Sequence, residues 1–196
     1  MKAAKIFRIS IICSVLILAN LKVLQGQTKS TIPVTGYAEA SYSGLTDNAF
    51  IKNWLIIGPV NIKGIGTNPD DKKQKEYFDK DELTGIQVNP KKELAPVKIG
   101  DTTFAWKLVK CSDSIIDFIK LFGQRSYTVA YALAEIKMDA PARIMAGIGS
   151  DDGIKLFVNG VLVHSNWIGR ATAPDDDIVL LDLKKGSNQV LVKVQN

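Results

Sequence analysis

Residues 149–166 read Gly-Ser-Asp-Asp-Gly-Ile-Lys-Leu-Phe-Val-Asn-Gly-Val-Leu-Val-His-Ser-Asn, and no other stretch constrains the fold as tightly. A polar turn leads into a strand, Asn159-Gly160 reverses the chain, and a second strand returns. An Asn-Gly pair suits a two-residue type I′ turn, because both central positions need positive φ. That turn sets the expected register. Val158 faces Val161, Phe157 faces Leu162, Leu156 faces Val163, Lys155 faces His164 and Ile154 faces Ser165. With side chains alternating, Ile154, Leu156, Val158, Val161 and Val163 share a core face, and Lys155, Phe157, Leu162 and His164 share the other.

More strands follow the same logic. Ala49–Val60 carries the apolar run Trp54 to Ile57 and reads as a buried strand stopped by Gly58-Pro59. Asn61–Glu76 is loop, Tyr77–Leu83 a turn of helix, and the stretch to Pro96 is irregular. Val97–Cys111 reads as a hairpin bent near Gly100-Asp101. Ser112–Gly123 is the helix candidate, with Ser112 or Asp113 as cap and Gly123 as stop. Arg125–Met138 sets Tyr127, Val129, Tyr131 and Leu133 on one face, with Ser126, Thr128, Ala130, Ala132 and Ala134 on the other. Strands at Arg143–Ile148, Ile178–Leu183 and Gln189–Val194 complete the pattern. Short strands at close spacing predict an all-β antiparallel sandwich with at most one short helix, over residues 49–196.

The 196 residues, 46% of them hydrophobic, supply a core for one domain plus extras. Lys2, Lys5 and Arg8 precede an apolar run from Ile9 to Leu18, with Gly26-Gln27 beyond, so residues 1–26 have the layout of a secretory signal peptide. The run is short of the roughly 20 apolar residues that a membrane span needs. Residues 27–48, rich in Ser, Thr and Gly, read as a flexible linker. The chain is expected to be secreted or periplasmic, and off the membrane once the signal is cleaved.

Charge excludes one class of partner. Taking Lys2, Lys5, Arg8 and Lys22 from the 25 basic residues leaves 21 against 20 acidic ones. The pI of about 9.1 therefore owes much to the targeting segment, and nucleic acid is not an expected partner. Cysteine excludes another device. Cys13 lies in the signal and Cys111 stands alone, so no internal disulfide forms and the core must hold the exported domain together.

A catalytic constellation is missing. His164 is the one histidine, no acid is placed to orient it, and no Gly-x-Ser-x-Gly elbow surrounds Ser150. Gly64-Ile-Gly lacks the third glycine of a phosphate loop. Asp151-Asp152 and Asp175-Asp176-Asp177 offer oxygen ligands on loops, so Ser-Asp-Asp-Gly reads either as a self-capped turn or as a calcium loop centred on Asp151 and Asp152. His164, Asn166, Trp167 and Arg170, with Lys155 across the hairpin, are the ligand candidates. Trp167 offers either a ring face for a sugar or a plug for the sandwich end, and the polar groups offer hydrogen bonds to hydroxyls.

Three segments together resemble the galactose-binding-like jelly-roll domains and are similar to the sugar-binding domain of family 2 glycoside hydrolases. They are Ser150–Gly160 with the Val-His, Arg, acidic-cluster and Leu183–Val194 continuation, Asn53–Pro59, and Tyr127–Ala132. The Asp-Asp pair also resembles the calcium-using pair of protective-antigen-type sugar-binding domains, although the chain departs from them after the hairpin. The resemblance implies a jelly roll at the front of a larger exported hydrolase (glycosidase, esterase or prolyl-oligopeptidase-like peptidase), and a closing strand beyond Val194 that this sequence lacks. The expectation is a non-catalytic carbohydrate-binding module with no certain cofactor and calcium as a candidate. The alternative is a docking domain that binds no sugar and supports an adjacent catalytic domain.

Overall fold

In the computed structural model, residues 6–12, 34–46, 49–62, 71–83, 94–112 and 114–196 are described. The rest of the expected export signal with its expected cleavage point near Gly26, the start of the expected linker, the loop before Asp71 and the stretch around Pro90 lie outside them.

The Asn-Gly hairpin forms as its sequence dictates. β10 (Gly153–Val158) and β11 (Val161–Asn166) are joined by Asn159 at φ 53° and Gly160 at φ 82°, the two positive values a type I′ turn requires. The hairpin edges a large sheet ordered β11-β10-β13-β8-β3-β6, where β3 is Asn53–Asn61, β6 Lys107–Lys110, β8 Thr128–Met138 and β13 Gly186–Gln195. A short β2 (Ser41–Ser43) pairs in parallel with the far end of β8. The second sheet is ordered β12-β9-β1-β7, from β1 (Ile6–Ile12), β7 (Ile115–Asp117), β9 (Ala142–Ser150) and β12 (Asp177–Leu183). β4 (Val97–Ile99) and β5 (Thr102–Phe104) make a separate hairpin around the expected Gly100-Asp101 bend.

The two sheets face each other as an all-β sandwich. Ala130, Ala132 and Ala134 of β8, with Leu156, Val192, Ile148 and Leu181 from its neighbours, fill the space between them. The small residues of β8 let the second sheet approach, and its large ones serve another layer. Val129, Tyr131 and Leu133 lie on the outer face of the large sheet under Tyr37, Ile99 and Trp106. β8 is thus buried on both faces. Burying Val129, Tyr131 and Leu133 at about 25 cal/mol per Å² of apolar surface favours covering this second side as well.

Among the described residues there are three short helices rather than one at most: α1 (Val34–Glu39), α2 (Asp71–Asp79) and α3 (Phe118–Phe122). The expected 112–123 helix is therefore half strand. Ile115 and Ile116 are β-branched and pair with β1, so the cap falls to Asp117, whose carboxylate accepts from the Lys120 N–H at 3.0 Å, and Gly123 closes the helix as expected. Residues 34–43, expected in a flexible linker, join the module. Tyr37 and Ala40 bury against the outer layer, and the Ser41 hydroxyl donates to Glu135 at 2.6 Å. Residues 6–12, expected only as export signal, form β1 in the middle of the second sheet.

Candidate functional site

The hairpin departs from the expected register after two pairs. Val158 faces Val161 and Phe157 faces Leu162, but Val163 bulges, so Leu156 faces His164, Lys155 faces Ser165 and Ile154 faces Asn166. One extra residue turns everything after it to the opposite face. His164 and Asn166 therefore share the side of Leu156 and Ile154, looking toward β12, and Lys155 points the other way.

Lys155 is not part of the ligand group. It is 3% exposed on the outer face, where its ammonium donates to Asp81 at 2.7 Å and to the Asp79 carbonyl at 3.1 Å. Beside it, fully buried Lys193 donates to the carbonyls of Tyr77, Phe78 and Lys80 at 3.1, 2.7 and 2.8 Å. Both ammonium groups lie over the Phe78 ring. Two lysines thus hold the C-terminal end of α2, where cations suit the unpaired carbonyls. Burial first, and the Lys155 charge second, push the Lys193 ammonium down to about 8.

On the other side Arg170 ties the loops together. Its guanidinium donates to Asp177 at 2.5 Å, to the Ser150 carbonyl at 3.2 Å and to the Ser150 hydroxyl at 3.1 Å, and lies 3.6 Å from Asp176. Asn166 donates to Asp177 at 3.0 Å, and the His164 Nε2 lies 3.5 Å from the same carboxylate. Burial works to raise Asp177, but the hydrogen bond and charge of Arg170, with Asn166 and His164, outweigh it and hold it below the usual carboxylate range. Asp177 supplies the acid beside His164 that the sequence left unplaced, already taken up by Arg170.

Asp152 accepts from the Arg170 backbone N–H at 3.0 Å, and the Ser150 hydroxyl donates to the Asp152 carbonyl at 2.6 Å. Ser-Asp-Asp-Gly is thus a turn bonded to the 167–173 loop. Asp151 is pushed up to about 6, by burial first and the Asp152 charge second. Among the described residues no group of three or more His, Cys, Asp or Glu side chains is placed to hold a metal ion.

Trp167 leaves this network and turns toward α2. Its ring meets Phe78 with centroids 5.1 Å apart at 49°, and a Cβ on Gly153 would sit 3.2 Å from it and 3.0 Å from Phe78. Glycine is what allows the two rings to close over the start of β10. Half-buried, Trp167 is one wall of a cleft of about 230 Å³ whose other sides are Asp71 and Gln74 of α2, Asp152, and Gln195 at the end of β13. Gln195 is 1% exposed; its amide NH₂ donates to the Gln74 carbonyl at 3.2 Å, and its Oε1 is buried without a hydrogen-bond partner. Sequence reasoning missed Asp71, Gln74 and Gln195, because only the fold brings residues 121 positions apart together.

The fold and site define a β-sandwich with a small polar cleft beside an aromatic ring at one end. No protein-family model matches the sequence, and no curated protein matches it. Solved structures of a β-glucuronidase from Ruminococcus gnavus are similar. The complex with uronic deoxynojirimycin and the complex with D-glucaro 1,5-lactone each give a TM-score of 0.38 at 15% identity, covering 80% of this chain and 23% of that one. Its apo structure gives 0.37 at 15% identity, over 78% and 23%. The chain spans about a quarter of the length of those proteins. At that distance the likeness carries no weight on activity or ligand.

Proposed function

We propose that the chain is a secreted or periplasmic, non-catalytic carbohydrate-binding-type module of the jelly-roll kind, with the Trp167 cleft as its sugar subsite. The buried, unpartnered Gln195 Oε1 in the cleft wall carries this reading. A buried acceptor left unpaired costs about 1–3 kcal/mol, and a ligand hydroxyl removes that cost when the Gln195 side chain turns its oxygen into the cleft. Trp167 supplies a ring face for the apolar side of a pyranose, while Asp152 and the α2 side chains supply polar edges. His164, Asn166 and Arg170 act one layer back, holding the loop that carries Trp167 against the turn that carries Asp152.

Thermal unfolding of the full chain against a glycan panel, with calcium and with chelator, tests this. A sugar at a hundred times its dissociation constant stabilises the folded state by about 2.7 kcal/mol. The gain vanishes in Trp167→Ala. A panel with no stabilising sugar, in calcium or in chelator, rejects the reading.

A specific observation favours the second reading, a docking domain of a larger exported hydrolase. α2 covers the Lys155 and Phe157 side of the hairpin, which makes that side core. On the outer face of the second sheet, Ile178 and Leu180 are 55% and 61% exposed, and Leu180 pairs with Met145. Such a patch suits an adjacent catalytic domain. Under this reading Leu180→Lys abolishes association with that domain and Trp167→Ala does not.

A further inference from the structure

Residues 6–12 have two incompatible chemistries. In sequence they join the basic start of an expected export signal, which ends at Arg8, to its apolar run, which begins at Ile9. In the fold they are β1, an interior strand parallel to both neighbours. Ile6 to Ile11 pair with Met145 to Ser150 of β9, and Ser10 to Ile12 pair with Ile115 to Asp117 of β7. Export that cleaves the signal removes β1. What remains is not a trimmed edge but a gap inside a sheet.

The size of that gap follows from strand spacing. Neighbouring strands lie about 4.8 Å apart, so β7 and β9 stand about 10 Å apart, too far to pair with each other and wide enough for one strand. Along it run the unpaired backbone groups of Met145–Ser150 and Ile115–Asp117, and β1 is the only ladder partner of β7 among the described strands. The inward residues on either side, Ile144, Ala146 and Ile148 of β9 and Ile116 of β7, belong to the core between the sheets and are at most 5% exposed with β1 in place. Opening the gap leaves backbone groups and apolar surface unprotected at one place, which is the condition for strand addition.

We propose that the gap between β7 and β9 is a strand-acceptor site. Residues 6–12 fill it in the unprocessed chain, and an extended, branched-apolar strand of a partner polypeptide fills it after processing. The chemistry of the occupant is read from the segment that sits there, Ile-Phe-Arg-Ile-Ser-Ile-Ile, which has the β-branched content of a strand buried in a parallel sheet. Its direction is fixed by the parallel register on both sides. A second copy of the mature chain is a poor donor, because the same cleavage removes its own residues 6–12. The acceptor site rests on export and is independent of sugar binding.

A protease site placed between residues 13 and 33 of the full chain tests this. After cutting, the protein is mixed with a fluorescent peptide of sequence Ile6–Ile12, or with the same peptide carrying proline in place of Ile9. The expected result is one-to-one exchange of the labelled peptide into the cut protein and none into the uncut protein. The proline peptide is expected to bind at least about tenfold more weakly, because proline cannot donate to a ladder. Ile9→Pro in the uncut chain is expected to lower the melting temperature by several degrees. Three results overturn the proposal: no peptide uptake with unchanged melting after cutting, dimerisation of the cut protein that shuts the peptide out, or an Ile9→Pro chain that melts like the wild type.

Discussion

Lys193 makes a pH prediction about how the cleft is built. Its ammonium holds the end of α2, the helix that carries Asp71 and Gln74 and the Phe78 ring on which Trp167 rests. Burial and the neighbouring Lys155 charge lower it from an ordinary 10.5 to about 8. The folded state therefore releases this proton earlier than the unfolded state. Below pH 8 both states hold the proton, and the buried charge weighs on the fold by a constant amount. Between pH 8 and 10.5 the unfolded chain binds more protons, so stability rises with pH, by about 2–3 kcal/mol at pH 10. Tyr37, Tyr42, Tyr77 and Tyr131, all raised chiefly by burial, work in the opposite direction as the tyrosines of the unfolded state ionise, from about pH 9 upward. The tyrosines are common to a variant that lacks the lysine, so the difference between the two proteins isolates Lys193. Urea unfolding at pH 7, 8, 9 and 10 measures the slope in the wild type and in Lys193→Met, which has no proton to lose. The wild type should gain stability across the window relative to the variant. Parallel curves would refute the depressed lysine.

Other substitutions probe the remaining supports. Phe78→Ala removes a fully buried ring and should cost about 3–5 kcal/mol, with a red shift in tryptophan emission as Trp167 loses its neighbour. Arg170→Met should cost about 2–3 kcal/mol, since it strands Asp177, although both side chains keep some exposure. Because Asp177 is held low, its contribution is present at neutral pH and is lost as pH falls through its folded value, so Arg170→Met should also flatten the acid limb of the stability profile. Gly149→Ala should destabilise by about 2 kcal/mol or more in chemical denaturation, because its Cβ would run into the Ala173 carbonyl, a backbone atom.

Features legible in the sequence were those decided within a few residues. Asn159-Gly160 set a turn because its φ values are local, Gly100-Asp101 bent a hairpin, and Gly123 ended a helix. The alternation of β8 separated its large face from its small one in the sequence alone, and the second sheet packs on the small face. His164 was misplaced by the Val163 bulge, a local irregularity that alternation cannot signal and that reverses every face after it. Lys155 looked like a surface ligand because its partners, Asp81 and the Asp79 carbonyl, lie more than seventy residues away. Ile115 and Ile116 fitted a helical period, yet a strand partner from the other end of the chain claimed them. The cleft was invisible for the same reason, since α2 and the end of β13 meet only in the folded chain.

The account's central claim is that Gln195 keeps an acceptor unpaired for a ligand. It is tested most directly by one titration: the best glycan of the panel against Gln195→Leu, following heat of binding and melting temperature together. Loss of the buried, unpartnered oxygen should leave the ligand-free variant at least as stable as the wild type while weakening the glycan about tenfold or more. A variant that binds the glycan as the wild type does would contradict the claim, as would one that binds no glycan only because it has lost its fold.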